Sequence, residues 1–228
     1  MIHVVIVAAG SGTRFGGDVP KQFQNLDGRP VVMLTIEAFR RAIPEADIKL
    51  VVSETMVSFW RELADRYDFM SPEVVVGGDS RFQSVKNALM AIDRDTVGEG
   101  DMILVHDGAR PLVSERVITN VIEGTVRHGA VVPVIPLTDS IRKMNTDGSS
   151  EPVDRSAYRA VQTPQGFDAS AIIKAYSCDA EPTFTDDASV AEAAGLKVAL
   201  VDGDYRNIKI TNRGDLEIAR VLMTLAGE

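Results

Sequence analysis

The stretch that most restricts how this chain can fold runs from Ile2 to Lys21. It opens with β-branched apolar residues, Val4 to Val7, and passes through Ala8 and Ala9. It then enters a loop that holds Gly10, Gly12, Gly16 and Gly17 together with Arg14 and Lys21. A buried strand feeding a glycine-rich loop is a common way to hold a phosphate chain. Backbone N–H groups reach the oxygens because no Cβ intervenes. A tight strand-to-helix turn with surface cations has the same composition, so the loop alone does not decide.

Apolar runs recur along the chain, separated by longer amphipathic stretches. Strands are expected near Val4–Val7, Ile48–Val52, Val74–Val76, Met102–Val105 and Val131–Ile135, and helices near Val31–Arg41, Met56–Tyr67, Arg81–Ile92 and Glu115–Arg127. The strands are apolar throughout, as in sheets covered on both faces. The expected class is therefore α/β, a mostly parallel sheet with helices on both faces. The whole chain, 1–228, reads as one domain. Ligands of such sheets lie beyond the carboxyl ends of the strands, here after Val7, Val76, Val105 and Ile135.

Past Ile135 the pattern changes. Residues Asp139–Met144 and Val153–Ala160 read as extended segments around the polar tip 145–152, so 138–160 is expected to protrude as a β-hairpin arm. A lone hairpin is marginal in water, which points to a second copy of the chain as its support. Farther on, Asp168–Tyr176, Asp187–Ala194 and Asp215–Leu225 read as helices, the last capped by Asn212, and Lys197–Val201 and Asn207–Thr211 as strands.

Composition narrows the partners. With a net charge of -9 the chain is a poor nucleic-acid binder, whereas a small polyanion remains feasible wherever cations gather. Cys178 is the only cysteine, which excludes an intrachain disulfide and fits a reducing compartment. No leader pattern and no apolar run of about 20 residues appears, so a cytoplasmic protein without a membrane partner is expected.

Three loop identities compete for the opening stretch. The dinucleotide fingerprint G-x-G-x-x-G fails at Phe15, and Pro20 delays the helix. The phosphate-binding G-x-x-x-x-G-K-[ST] pattern fits Gly12 and Gly17, but Asp18 replaces its lysine and would repel phosphates. A long loop that wraps a triphosphate, clamped by Arg14 and Lys21, is the third. Two further constellations follow strands. In Val105-His106-Asp107-Gly108-Ala109-Arg110-Pro111, Asp107 suits Mg²⁺, although Arg110 is equally able to pair with it structurally. In Gly77-Gly78-Asp79-Ser80-Arg81-Phe82-Gln83-Ser84, Asp79 and Ser84 suit a base edge, and Asp79 or Ser80 also suits a helix N-cap. Lys209, between Ile208 and Ile210, faces away from their shared side. Arg155 is a second isolated cation.

Ala8 to Arg14, Pro20-Lys21-Gln22, His106 to Pro111, Thr163-Pro164-Gln165, Thr185-Asp186-Asp187-Ala188-Ser189 and Asn207 to Thr211 together resemble the sugar-phosphate cytidylyltransferases, in order, from Ile2 to about Leu222. The match is closer to the members using methylerythritol phosphate than to those using ribitol 5-phosphate. The resemblance implies a Rossmann-like nucleotidyltransferase fold, a homodimer joined through the arm, and Mg²⁺. The implied reaction joins CTP and the sugar-alcohol phosphate into a CDP-linked alcohol and releases pyrophosphate. It implies that Arg14 and Lys21 stabilise the α-phosphate. Ala8, Ala9, Gly10, Ser11, Gly12, Thr13, Gly78, Asp79, Ser84 and Asp107 would line the nucleotide pocket, with Asp107 on the metal. Arg110, Ser140, Arg155, Thr163, Thr185 and Lys209 would form the acceptor site, Arg155 arriving from the partner chain. Two positions depart from the family. Ser140 replaces a threonine and keeps the hydroxyl. Gly108 replaces an alanine and is expected to loosen the loop beside Asp107. A nicotinamide-dependent dehydrogenase, suggested by Gly10-x-Gly12 and Glu54, and a non-catalytic nucleotide sensor are the rivals.

Overall fold

The computed structural model describes residues 1–10, 15, 19–181 and 183–225. Its elements, in chain order, are β1 Ile2–Val7, β2 Asn25–Leu26, β3 Arg29–Pro30, α1 Val31–Ala42, β4 Asp47–Val52, α2 Val57–Arg66, β5 Glu73–Val76, α3 Arg81–Met90, β6 Met102–Asp107, α4 Glu115–His128, β7 Ala130–Pro136, β8 Arg142–Met144, β9 Ser150–Pro152, β10 Arg159–Val161, β11 Gln165–Asp168, α5 Ala169–Ala175, α6 Asp187–Ala193, β12 Ala199–Asp202 and α7 Arg213–Thr224.

The main sheet runs β10-β7-β11-β6-β1-β4-β5, with β12 also on β7. Strands β6, β1, β4 and β5 are mutually parallel. Alternate residues of one strand feed two different cores, as a two-residue side-chain period requires. Val4 and Ile6 of β1 and Leu104 of β6 pack with α1, α2 and α4. Val5, Ile103 and Val105 pack on the other face with α3, α5 and α6. Helices thus cover both faces, as the unbroken apolar strands imply. Trp60 is fully buried in the first core, and its indole N–H is satisfied by Ser71 Oγ at 2.9 Å. A third, smaller cluster joins Phe15, Leu26, Val31 and Ile210 to Leu216 and Ala219 of α7.

The order of strands sets where a ligand can sit. The chain leaves β1 toward β4 and β5, then returns to β6 on the other side of β1. Connections diverge there, so a crevice opens above the carboxyl ends of β1 and β6.

Three details differ from the sequence expectation. Strand β11 inserts antiparallel between β6 and β7. Its residues, Gln165-Gly166-Phe167-Asp168, carry too little apolar pattern to announce a strand, and its pairing is set by its neighbours. The arm is shorter: β8 pairs with β9, not with 153–160, because the turn closes early through Asn145 N–H to Ser149 O at 2.9 Å and Asp147 Oδ1 accepting from Ser149 N. Residues 155–157 form a helical turn capped by Asp154. The 207–211 segment carries no ladder; its backbone is joined to the end of β6 through Ile210 N–H to Ala109 O at 2.8 Å, and its other bonds are to side chains or nearby turns. Among the described residues no helix is long and apolar enough to cross a membrane.

Helix α4 lies very close to β11. A Cβ built on Gly166 would stand 2.3 Å from Thr125 Oγ1 and 2.6 Å from Val121 Cγ1. Gly166→Ala is therefore expected to overpack this contact and cost about 1–3 kcal/mol, read as a lower urea midpoint with unchanged slope. An unaltered midpoint would show that α4 has room to move.

Candidate active site

The first wall of the crevice is built by β1 as it ends. Ala8 N–H donates to Val51 O at 2.7 Å, which holds the turn against β4. The buried Gln22 then clamps that turn from behind: its Nε2 donates to Ala8 O at 2.7 Å and Gly10 O at 2.9 Å. Gln22 sits in the short helical turn Lys21–Phe23, so the clamp also brings Lys21 to the same crevice. Ser11, Gly12, Thr13 and Arg14 lie outside the described residues.

The second wall follows β5. Ser80 caps α3, accepting from Gln83 N at 3.0 Å, and Ser84 Oγ accepts from Gly78 N at 3.1 Å. Capping therefore falls to Ser80, and the Asp79 carboxylate is left exposed on the cavity wall. Arg81, the first residue of α3, also faces the cavity. It makes a two-pronged ion pair with Asp187, at 2.8 and 2.6 Å, and Tyr176 donates to the same carboxylate at 2.6 Å. Asp187 is wholly buried. Burial alone would lower the Arg81 pKa, but the Asp187 charge outweighs it and raises it above the ordinary value.

The third wall is the end of β6. Asp107 Oδ2 receives Arg110 Nε at 3.2 Å and Lys209 Nζ at 3.0 Å. Burial would push the Asp107 carboxyl up, yet Lys209, Arg81 and Arg110 together hold it well below the usual carboxylate range. Arg110 also reaches Asn207 O through Nη1 at 2.7 Å. Behind Asp107, the Thr163 hydroxyl accepts from Asp107 N at 3.1 Å and lies 3.0 Å from His106 Nδ1. His106 Nε2 is 3.1 Å from Arg110 O. A carbonyl only accepts, so Nε2 carries the proton and the Thr163 hydroxyl donates to Nδ1.

Gly108 does not loosen this loop. Its N–H donates to Val7 O at 2.9 Å and its carbonyl accepts from Thr35 Oγ1 at 3.2 Å. An added Cβ would stand 3.0 Å from Ala8 Cβ and 3.1 Å from Val7 O. The glycine lets the ends of β1 and β6 close on each other, and an alanine there requires a small separation of the two turns.

These walls enclose a cavity of about 460 Å³ lined by Ala8, Ala9, Gly10, Lys21, Gly78, Asp79, Ser84, Asp107 and Lys209 of the expected residues. Its lining adds Gln22, Ser80, Arg81, Ala109 and Thr211. Sequence reasoning gave Ser80 a capping role and the other four none, although all five stand inside the motifs that drew attention. Arg110 and Thr163 stand behind the wall, next to Asp107. Ser140 and Arg155 lie on or beside the arm, exposed, with Arg155 Nη1 donating to Thr138 O. Thr185 is exposed and binds Ser189 Oγ through its N–H at 3.1 Å. Within the described part of one chain, these three do not line the cavity.

Among the described residues no cluster of three or more His, Cys, Asp or Glu converges on a point. Asp107 and Asp79 are the carboxylates of the cavity wall. A hard divalent cation such as Mg²⁺ takes one or two carboxylates and completes its shell with phosphate and water oxygens. An ionised Asp107 facing this cavity fits that donor set.

His106 gives the site a pH signature. Burial lowers its pKa to about 4, against an unfolded value of about 6.5. Between these values the unfolded chain binds a proton that the folded chain does not. Stability is thus full above about 6.5 and falls as pH drops toward about 4, by roughly 3 kcal/mol at most. Urea midpoints should fall across that window in the wild type, and this part of the slope should vanish in His106→Gln. Equal slopes in both would contradict it.

Comparison with known proteins finds relatives that match over nearly the full length of the chain. The family model described as 2-C-methyl-D-erythritol 4-phosphate cytidylyltransferase matches residues 2–225. A protein of that name from Phocaeicola vulgatus is 44% identical over 222 residues, covering 97% of this chain and 99% of its own. The crystal structure of the Francisella tularensis 2-C-methyl-D-erythritol 4-phosphate cytidylyltransferase superposes with a TM-score of 0.81 at 30% identity, covering 97% and 99%. That from Thermus thermophilus gives 0.74 at 31% identity, covering 97% and 98%. The chain belongs to the 2-C-methyl-D-erythritol 4-phosphate cytidylyltransferase family.

Proposed function

We propose that this chain transfers the cytidylyl group of CTP to 2-C-methyl-D-erythritol 4-phosphate and releases pyrophosphate. The observation that carries the proposal is that Lys21, Lys209 and Asp107 line one cavity, beside a glycine-bearing strand end. The acceptor phosphate is already ionised near neutral pH, so its oxygen attacks the α-phosphorus without a general base. In support of this, His106, next to Asp107, is buried with both ring nitrogens engaged. What the protein must supply is position and positive charge, because two polyanions have to meet.

Lys21, with Arg14, addresses the phosphorus under attack, and Ala8 to Thr13, Gly78, Asp79 and Ser84 receive the nucleotide. Lys209 and Arg110 hold the acceptor phosphate beside Asp107. Asp107 would hold Mg²⁺, which would supply positive charge to offset that of the triphosphate. The exposed arm, with Met144 and Tyr158 open to solvent, is best supported by a second copy of the chain. In that homodimer Ser140, Arg155 and Thr185 complete the acceptor site. A cytoplasmic location fits the single cysteine.

A coupled pyrophosphate assay tests the reaction. CTP with methylerythritol phosphate should release pyrophosphate faster than CTP with ribitol 5-phosphate, and the reverse order would overturn the acceptor assignment. Lys21→Ala should lower kcat about 10²–10³-fold while CTP still binds. Lys209→Ala should raise KM for the sugar phosphate more than for CTP; equal changes would refute the division of roles.

A further inference from the structure

Asn207 is the one residue of the Asn207–Thr211 motif whose side chain is wholly buried and polar. It does not touch the cavity, yet it is bonded to the groups that shape it. Its Nδ2 donates to Thr163 O at 2.8 Å, and its backbone carbonyl, held in place by that side-chain bond, accepts Arg110 Nη1 at 2.7 Å. Gln162 supports it from below. Gln162 Nε2 donates to Asp204 O at 2.8 Å, and its Oε1 accepts from Asp204 N at 3.1 Å and lies 3.4 Å from Asn207 Nδ2. Asn207 Oδ1 is the buried side-chain polar atom that, among the described residues, has no hydrogen-bond partner.

A half-satisfied buried amide is a poor stabiliser, because the orphaned acceptor costs about as much as one good bond returns. Core stability therefore does not explain this asparagine, but its position does. The 207–211 segment belongs to no ladder; its far end is held by Ile210, buried beside Leu26 and Leu216, and by Thr211 N–H donating to Asp215 Oδ2 at 2.6 Å, which leaves the near side of Lys209 to be fixed by Asn207. Beyond Ile210 N–H to Ala109 O, the Asn207 amide is the tether that joins the segment to the rigid Gln162–Thr163 stretch. Thr163 in turn is bonded to the Asp107 backbone. One residue thus references both Arg110 and Lys209 to Asp107.

We infer that Asn207 is a positioning residue that sets Arg110 and Lys209 for the acceptor phosphate. This rests on the reading that those two cations hold that phosphate. The Ala8–Gly10 turn and the Gly78–Ser84 segment are not bonded to Asn207, so the nucleotide half of the site should be untouched by its loss.

The test is a comparison of KM and kcat in Asn207→Ala and, as a milder variant should the first fail to fold, Gln162→Met. Asn207→Ala should raise KM for methylerythritol phosphate about 10-fold, on the scale of one lost buried hydrogen bond. The Kd for CTP should stay within about twofold, since no nucleotide contact changes. Gln162→Met should shift the same way by less. A general loss of folded enzyme would lower Vmax with KM unchanged, and that result, in whichever variant folds, overturns the proposal. Lys209→Ala is the control. If it raises the acceptor KM while Asn207→Ala does not, the positioning role alone is wrong. If Lys209→Ala leaves that KM unchanged, the parent reading and this inference fall together.

Discussion

The site depends on one carboxylate that cations surround. Asp107 ends β6 with its side chain nearly buried, and a buried charge persists only if it is paired and hydrogen-bonded. Arg110 and Lys209 meet on its Oδ2, and Arg81 adds its field from across the crevice. The relation works in both directions. The cations keep Asp107 ionised, and Asp107 keeps mutually repelling cations close enough to serve one anion. The Thr163 hydroxyl and the Asn207 amide fix the backbone on which this charge cluster stands.

The sheet explains why such a cluster can be rigid. The two cores hold β1 and β6 from opposite faces, and Gly108 lets their ends approach closely. Loops that begin on strands gripped in this way inherit their position. Ala8–Gly10 follows β1 directly, and Asp107 is the last residue of β6. The 207–211 segment lacks that support and is held by a few named bonds instead, which is why a buried amide outside the cavity matters there.

Much of this was legible in the residues themselves. The runs Val4–Val7 and Met102–Val105 announced buried parallel strands, and the glycines after them announced loops at the carboxyl ends. Alternation around Lys209 correctly placed Ile210 inside and the lysine outward, although no strand ladder forms. Other features were hidden because they are set by partners distant in sequence. Strand β11 has almost no apolar pattern and exists because β6 and β7 flank it. Arg81 reads as an ordinary first-turn residue until Asp187, 106 positions later, pairs with it. Gln22 becomes a clamp only once the Ala8–Gly10 turn is folded beneath it. Gly108 looked like slack and proved to be a close contact.

The central claim is that the cations gathered by Asp107 receive the acceptor phosphate. A crystal structure of the chain with its CDP-linked product tests this most directly, through the distance from Lys209 Nζ to the phosphate derived from the acceptor. The account predicts a direct contact at ordinary ion-pair distance, about 3 Å, with Arg110 still braced on Asn207. A product phosphate bound elsewhere, with Lys209 still paired to Asp107 alone, would contradict it.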